Sequence, residues 1–377
     1  MNIVYFLTYG YSLETWSSSS ALEREVKYFN YLSKNYGYKF HIVTYGNNKD
    51  TEYSDYFINA TILPIGSITR IPKNKYLGFI KSFYYPFKIK NHINEKTNIV
   101  KQNQLLGSWI SIIFKYITNS KLFVRTGYDM YLFSKKENKR FLKKLAYKLL
   151  TRLTLKFSDS YTVSSNSDMS FLEDNFNSQT KAHLLHNWVE SFEVGTISDR
   201  ETTIISVGRL EYQKNYEFII KELSNLRLEL QIVGEGSMKD ELLNLAKKLN
   251  TNLRITQRMD NKELTRKFMN IKLFVIPSHF EGNPKVLLEA MAAGCVVFAS
   301  NIKNHSEIID EGVNGFLFEL EDGAFRNKIL EIIESTKVSS AFLDKVSKSA
   351  TQKIKTYYSL PIIAEEENRL LLELASE

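Results

Sequence analysis

Short unbroken apolar runs recur along this chain, and stretches with apolar residues every third or fourth position separate them. Residues 2–8 form the first run, as a strand buried on both faces requires. Ser19 and Ser20 are placed to cap a helix carrying Leu22, Val26 and Phe29 on one face, and Gly37 stands after its end. Residues 40–45, 61–65, 99–102, 121–125 and 161–164 read as further strands, with helical periodicity at 105–116 and 139–156. A second series follows at 203–207, 228–233, 253–256, 273–276, 296–299 and 315–318, and amphipathic stretches separate its first five strands. Repeated β–α alternation predicts parallel sheets covered on both faces, and two series predict two such domains.

The expected fold class is therefore α/β, with two doubly wound Rossmann-like domains facing a central cleft. The boundary is expected in the polar stretch 190–201, which contains Gly195 and Ser198. This gives an N-terminal domain over 1–190, joined by a helix at 358–377, and a C-terminal domain over 191–357. In open parallel sheets, ligands bind beyond the carboxyl ends of the strands, so the chemistry is sought in the loops there.

Composition narrows the function. With 43% hydrophobic and 24% charged residues, the chain is neither disordered nor fibrous. No run of about 18 apolar residues is present, so no transmembrane helix is expected. The first residues lack a basic start and a small-residue cleavage site, so no secretion signal is expected either. A lone cysteine, Cys295, excludes intramolecular disulfides and fits a reducing cytoplasm. The net charge of +8 is uneven: about +12 over residues 1–190, about −4 over the rest, and about +17 within residues 70–156 alone. Such asymmetry points to an anionic partner for the first half.

The densest chemistry lies in the string from Pro277 to Gly294. A strand ends at Ile276, and Pro284 suits the first turn of the helix that follows, which Gly294 closes. The free N–H groups of that helix make an anion site. Glu281 sits in the loop and Glu289 on the helix, and a carboxylate can accept hydrogen bonds from two vicinal sugar hydroxyls. Earlier, Val207-Gly208-Arg209-Leu210 with Lys214 sets two cations after a strand-end glycine, where they can neutralise a diphosphate. Ile232-Val233-Gly234-Glu235-Gly236 forms a second glycine loop, which is either a turn near a nucleotide or purely structural. It lacks the third glycine of a dinucleotide fingerprint, whose place is taken by Lys239.

Glu281 and Glu289, separated by seven residues within this string, resemble the paired glutamates of glycosyltransferase family 4, a retaining family of the GT-B fold. The two glycine loops, and Glu307 with Gly312, Asn314 and Gly315, resemble that family's remaining elements in order and spacing over about 202–318. The resemblance implies that Arg209 and Lys214 bind the donor diphosphate, that Glu289 holds the ribose, and that Glu281 faces the donor sugar. It also implies that Gly208, Gly234 and Glu235 lie near the nucleotide. The amides of Gly282, Asn283 and Lys285, beside Pro284, would line the phosphate or sugar, and Arg258 would lie near the base. Gly10 matches the glycine loop after the first strand. Lys214→Ala is expected to reduce turnover with little cost in stability.

Departures are also evident. Gln257 stands where a glycine is common. No histidine occurs around Arg125-Thr126-Gly127-Tyr128-Asp129, where the family often has one, so that stretch is either part of the site or a strand-end turn. His186-Asn187-Trp188-Val189 resembles the segment before the family's interdomain linker, with Trp188 and Glu190 as departures.

No Asp-x-Asp pair occurs and the histidines show no ligand spacing, so no metal or other cofactor is expected. Within 139–157, Leu142, Leu145, Ala146, Leu149, Leu153 and Phe157 make an apolar stripe. Arg140, Lys144, Lys148, Arg152 and Lys156 recur on another face. Residues 79–93 mix Phe83, Tyr84, Tyr85 and Phe87 with Lys81, Lys88 and Lys90. Both segments suit an anionic membrane surface, or else a buried helix with a solvated basic face; nucleic acid is a further candidate that no recognition motif supports.

Together the resemblance, the missing Asp-x-Asp pair and the basic aromatic surface give the expectation of a metal-independent retaining hexosyltransferase using a nucleotide sugar, UDP-sugar ahead of GDP-sugar. Its acceptor would be a saccharide or lipid-linked saccharide at the inner membrane face, in bacterial surface polysaccharide or glycolipid assembly. Its rivals are a nucleotide-sugar epimerase of the same fold and a non-catalytic sugar- or lipid-binding partner.

Overall fold

The computed structural model describes residues 1–19, 21–137, 139–176, 182–197, 199–334 and 340–376. Ser20 and Ser198, assigned above to a cap and a linker, lie outside the described residues, as does Glu377 at the end of the expected C-terminal helix.

Two compact units divide the chain, one comprising Met1–His186 with Ile363–Glu377 and the other Asn187–Ile362. In the first, β1 (Asn2–Phe6), β2 (Lys39–Thr44), β3 (Ala60–Pro64), β4 (Ile99–Asn103), β5 (Lys121–Arg125), β6 (Ser160–Val163) and β7 (Ala182–Leu184) pair in the order β3-β2-β1-β4-β5-β6-β7. Every pairing is parallel. Val4, Phe6, Val100 and Val124 pack with Tyr85, Ile110, Phe114, Leu155 and Leu172, which come from helices lying against the sheet.

The second unit holds β8 (Glu201–Val207), β9 (Leu230–Val233), β10 (Leu253–Thr256), β11 (Ile271–Ile276), β12 (Val296–Ser300) and β13 (Phe316–Phe318), all parallel, in the order β10-β9-β8-β11-β12-β13. Separate clusters built on Ile204, Leu273 and Val275 and on Ile205, Phe274 and Ile276 fill its two faces, as alternate pointing of strand side chains requires.

Three local features differ from the sequence reading. β7 was not expected; with three half-buried residues it is too short to show a period. Helix Leu22–Tyr36 has Ala21 at its N-cap and no side-chain cap, while Ser19 closes the preceding helix Leu13–Ser18, which Ser12 caps. Gly37 ends Leu22–Tyr36 at φ 67, as expected. The third concerns the basic helix Phe141–Phe157, where the buried-helix alternative fails: its leucine stripe turns outward, with Leu142 76% exposed and Leu149 51%. Its packing face instead carries Thr151, Thr154 and Leu155, and the Thr154 hydroxyl bonds Ser108 Oγ at 2.7 Å.

Candidate active site

The loops after β8 and β9 interlock. Gly208 N–H donates to Val233 O at 3.1 Å, Leu210 N–H to Glu235 O at 2.8 Å, and Met238 N–H to Leu210 O at 3.1 Å. At Gly234 a Cβ would lie 1.9 Å from Gly208 O, and at Gly236 one would lie 2.4 Å from Leu210 O. Both glycines are therefore required by backbone contact alone. At Gly208 a Cβ would meet Lys214 Cε at 2.9 Å, so this glycine makes room for the lysine.

Lys214 ends the 3₁₀ turn Tyr212–Lys214 and reaches Glu281, its Nζ lying 2.7 Å from Oε1. The same oxygen accepts from Ser278 Oγ at 2.6 Å, and Gln213 Nε2 donates to Phe280 O at 2.9 Å and to Glu281 Oε2 at 3.3 Å. Glu281 is 7% exposed, a charge removed from water and held by a cation and two neutral donors. Beneath it, Ser300 Oγ donates to Ser278 O at 2.7 Å and Asn304 Nδ2 to Gly282 O at 2.7 Å. His305 is fully buried; its Nδ1 lies 2.9 Å from Ser300 O, and burial pulls its pKa down to about 4, so it is neutral at pH 7. Arg209 stays exposed, with Nη2 3.4 Å from Gln213 Oε1.

Helix Lys285–Ala292 begins after Pro284, which occupies the N-cap itself and makes no side-chain cap bond. Gly294, at φ 75, follows its end. Asn283, Lys285 and Glu289 are half-buried along its start and second turn. Glu235 and Arg258 are exposed at the ends of β9 and β10, and β10 lies two strands from β8. The structure thus brings Lys214, Glu281, Gly282 and, through Gln213, Arg209 together. Sequence reasoning missed Gln213, Ser278, Ser300, Asn304 and His305 as supports. The first two were visible as neighbours of Lys214 and Glu281, whereas Ser300 ends the next strand and Asn304 and His305 come from the short helix Lys303–Ser306 after it.

In the first unit, Gly10 sits at an exposed turn with φ 84 and open space around it. Arg125 is part of a charge cluster, its Nη1 lying 3.0 Å from Glu367 Oε2 while Lys101 pairs with Oε1 of the same carboxylate. Asp129 caps helix Met130–Lys136 by accepting from Leu132 N–H at 2.7 Å. Both residues of the Arg125–Asp129 turn thus have structural partners. Among the described residues, no three His, Cys, Asp or Glu side chains gather as metal ligands, and no helix is long and apolar enough to cross a membrane.

Residues 189–351 match the family described as glycosyl transferases group 1. This stretch is a group 1 glycosyltransferase domain. The chain is also 28% identical over 216 residues to the Campylobacter jejuni N-acetylgalactosamine-N,N'-diacetylbacillosaminyl-diphospho-undecaprenol 4-alpha-N-acetylgalactosaminyltransferase. That alignment covers 55% of this chain and spans about three fifths, 59%, of the relative's length. Among solved structures, the sucrose-phosphate synthase of Thermosynechococcus elongatus superposes with a TM-score of 0.78, at 16% identity and 100% coverage of both chains. Anabaena HepE in complex with UDP gives 0.74, at 15% identity, covering 99% of this chain and 100% of its own. These likenesses show the fold, which is GT-B. The Lys214–Glu281 pair and both glycine loops fall inside the group 1 domain.

Proposed function

We propose that the protein is a retaining glycosyltransferase that moves a hexosyl unit from a nucleotide sugar, UDP-linked ahead of GDP-linked, to an acceptor hydroxyl. The observation that carries this reading is the Lys214–Glu281 pair, held by Gln213 and Ser278 beside the start of helix Lys285–Ala292. Arg209, Lys214 and the first amides of that helix would stabilise charge on the departing diphosphate. Glu281 would orient the sugar and Glu289 the ribose. Gly208, Gly234 and Gly236 would hold the two loops together with Lys214 turned toward the nucleotide. The bond from the anomeric carbon to the diphosphate oxygen breaks as the acceptor oxygen bonds the same face. The acceptor proton passes to the departing phosphate oxygen, so no strong protein base is needed. With two cations and a helix end supplying positive charge, catalysis would need no metal.

A lipid-linked saccharide is the proposed acceptor, taken by the first unit. The Campylobacter relative's name specifies a diphospho-undecaprenol acceptor, and HepE was solved with UDP. The outward leucines of helix Phe141–Phe157 lie among basic residues, and Tyr76, Leu77 and Ile80 of helix Lys75–Ser82 are exposed too. Such a surface suits peripheral attachment to the inner membrane face, in assembly of a bacterial surface glycan. A panel of UDP- and GDP-sugars is assayed for protection against thermal unfolding, then for transfer with EDTA present. Stabilisation by a UDP-sugar and EDTA-resistant transfer with retained anomeric configuration are expected. No stabilisation by any nucleotide sugar would refute the reading.

A further inference from the structure

Tyr212 is 69% exposed at the edge of the site just described. Its ring stacks on the imidazole of His279, with centroids 4.6 Å apart and planes 28° from parallel. The pair cannot drift from the carboxylate. Gln213 O accepts from His279 N–H at 2.9 Å, and the Gln213 amide bonds Phe280 and Glu281. Tyr212 opens the same 3₁₀ turn that Lys214 ends. Burial lowers the His279 pKa below its ordinary 6.5, which favours the neutral ring behind Tyr212. The result is a rigid aromatic face, backed on one side and open to solvent, beside an ammonium and a carboxylate.

A pyranose ring presents C–H groups on its flat faces and hydroxyls around its rim. The C–H face matches the aromatic face, and the rim hydroxyls match Glu281 and Lys214. A nucleobase also stacks on tyrosine, but its rim of ring nitrogens and carbonyls matches this carboxylate–ammonium pair less well than vicinal hydroxyls do. We propose that Tyr212, stacked on His279, is the platform for a pyranose ring of the substrate saccharide. This rests on the glycosyltransferase reading above. The ring belongs to either the donor sugar or the acceptor, and the test separates the two.

The test compares the full-length native protein with Tyr212→Ala and Tyr212→Phe. Calorimetry gives the Kd of UDP and of the UDP-sugar that stabilises the native protein, and kinetics give the KM of the acceptor. Tyr212→Ala should leave UDP within about twofold and weaken one saccharide term about tenfold, in keeping with the loss of one stacking contact. A weaker UDP-sugar assigns the platform to the donor; a higher acceptor KM assigns it to the acceptor. Tyr212→Phe should restore the native value, because stacking needs no hydroxyl. Unchanged saccharide terms would overturn the proposal. So would an equal loss for UDP itself, which assigns the ring to the base, or a phenylalanine variant as weak as the alanine one. A native protein that binds no nucleotide sugar would remove the underlying reading, an outcome visible before any variant is made.

Discussion

Lys214 and Arg209 carry the same proposed role but occupy different environments, and their variants should separate accordingly. The Lys214 side chain is 14% exposed against a Glu281 side chain at 8%, so Lys214→Ala strands a buried carboxylate. Loss of one partner of a buried pair costs about 3–5 kcal/mol, so the small stability cost expected from sequence does not follow. Arg209, at 66% side-chain exposure, can be removed without that penalty. Arg209→Ala should lower turnover at least about tenfold with an unchanged melting temperature, whereas Lys214→Ala should lower both. Normal turnover in Arg209→Ala would remove it from the site. Elsewhere, burial raises Asp129 and Asp168 from 3.8 to about 6 each. The folded state therefore holds more protons than the unfolded one between these values, and their contribution to stability falls as pH rises from about 4 to 6. Asp168→Asn should raise stability at pH 8 by about 1–3 kcal/mol and change it little at pH 4, measured by urea unfolding. A flat difference across pH would contradict this. The paired glutamates and the Arg…Lys spacing were legible because each lies within one short segment. His305 and Asn304 were not, because they meet the Glu281 loop only through sheet pairing.

At the scale of elements, β-strands buried on both faces were legible as apolar runs, and the strands of the second unit sit where those runs lie. Periodicity failed where burial did not follow hydrophobicity. The leucine stripe of Phe141–Phe157 marks a helix correctly, yet it faces solvent while threonines pack inward. No local pattern could give that orientation, because it depends on Ser108 bonding Thr154 from a helix 46 residues away. The C-terminal helix Leu360–Ser376 is a similar case, since polar partners from distant segments join its buried apolar face. Glu367 is fully buried and joins Lys101 and Arg125, while Asn368 bonds the Tyr38 hydroxyl at 2.5 Å. Burial pushes the Glu367 carboxyl up, but Lys101 and Arg125 reverse this and hold it below its ordinary 4.5. Its stabilisation is then complete above about pH 4.5 and lost as pH falls through the lower folded value. Glu367→Gln should destabilise by about 3–5 kcal/mol at pH 7, with faster hydrogen exchange confined at first to the last helix and its contacts on β4 and β5. Unchanged exchange there would show that the helix does not depend on this carboxylate.

At the scale of the whole molecule, charge and exposed apolar surface coincide within the first unit. About +17 of charge lies within residues 70–156, and the same segment exposes Phe141, Leu142 and Leu149 on one helix and Tyr76, Leu77 and Ile80 on another. Both helices belong to one layer. Tyr85 and Ile89, from the helix that follows Lys75–Ser82, share a core cluster with Ile110, Phe114 and Leu155 against the same sheet. Basic side chains around exposed leucines gain about 1 kcal/mol each near anionic lipid, and buried leucines add roughly 25 cal/mol per Å² of apolar area. The two contributions respond differently to salt. Exposed charges are screened over roughly 8–10 Å at 0.1–0.15 M salt, but apolar insertion is not. The protein should therefore sediment far more with anionic vesicles than with neutral ones, and the weak part that persists at about 0.5 M salt should be the same on both. Reversing Arg140, Lys144 and Lys148 to Glu should abolish capture at low salt. Replacing Leu142, Leu145 and Leu149 with Ser should spare low-salt capture and remove the salt-resistant part. Both variants should keep transfer to a short soluble acceptor, because the Lys214–Glu281 pair lies in the other unit, and both should lose transfer to a lipid-linked one. Failure of the native protein to sediment with either kind of vesicle would make this layer an ordinary solvated surface. The group 1 domain would be untouched by that result, and the lipid-linked acceptor would lose its main support.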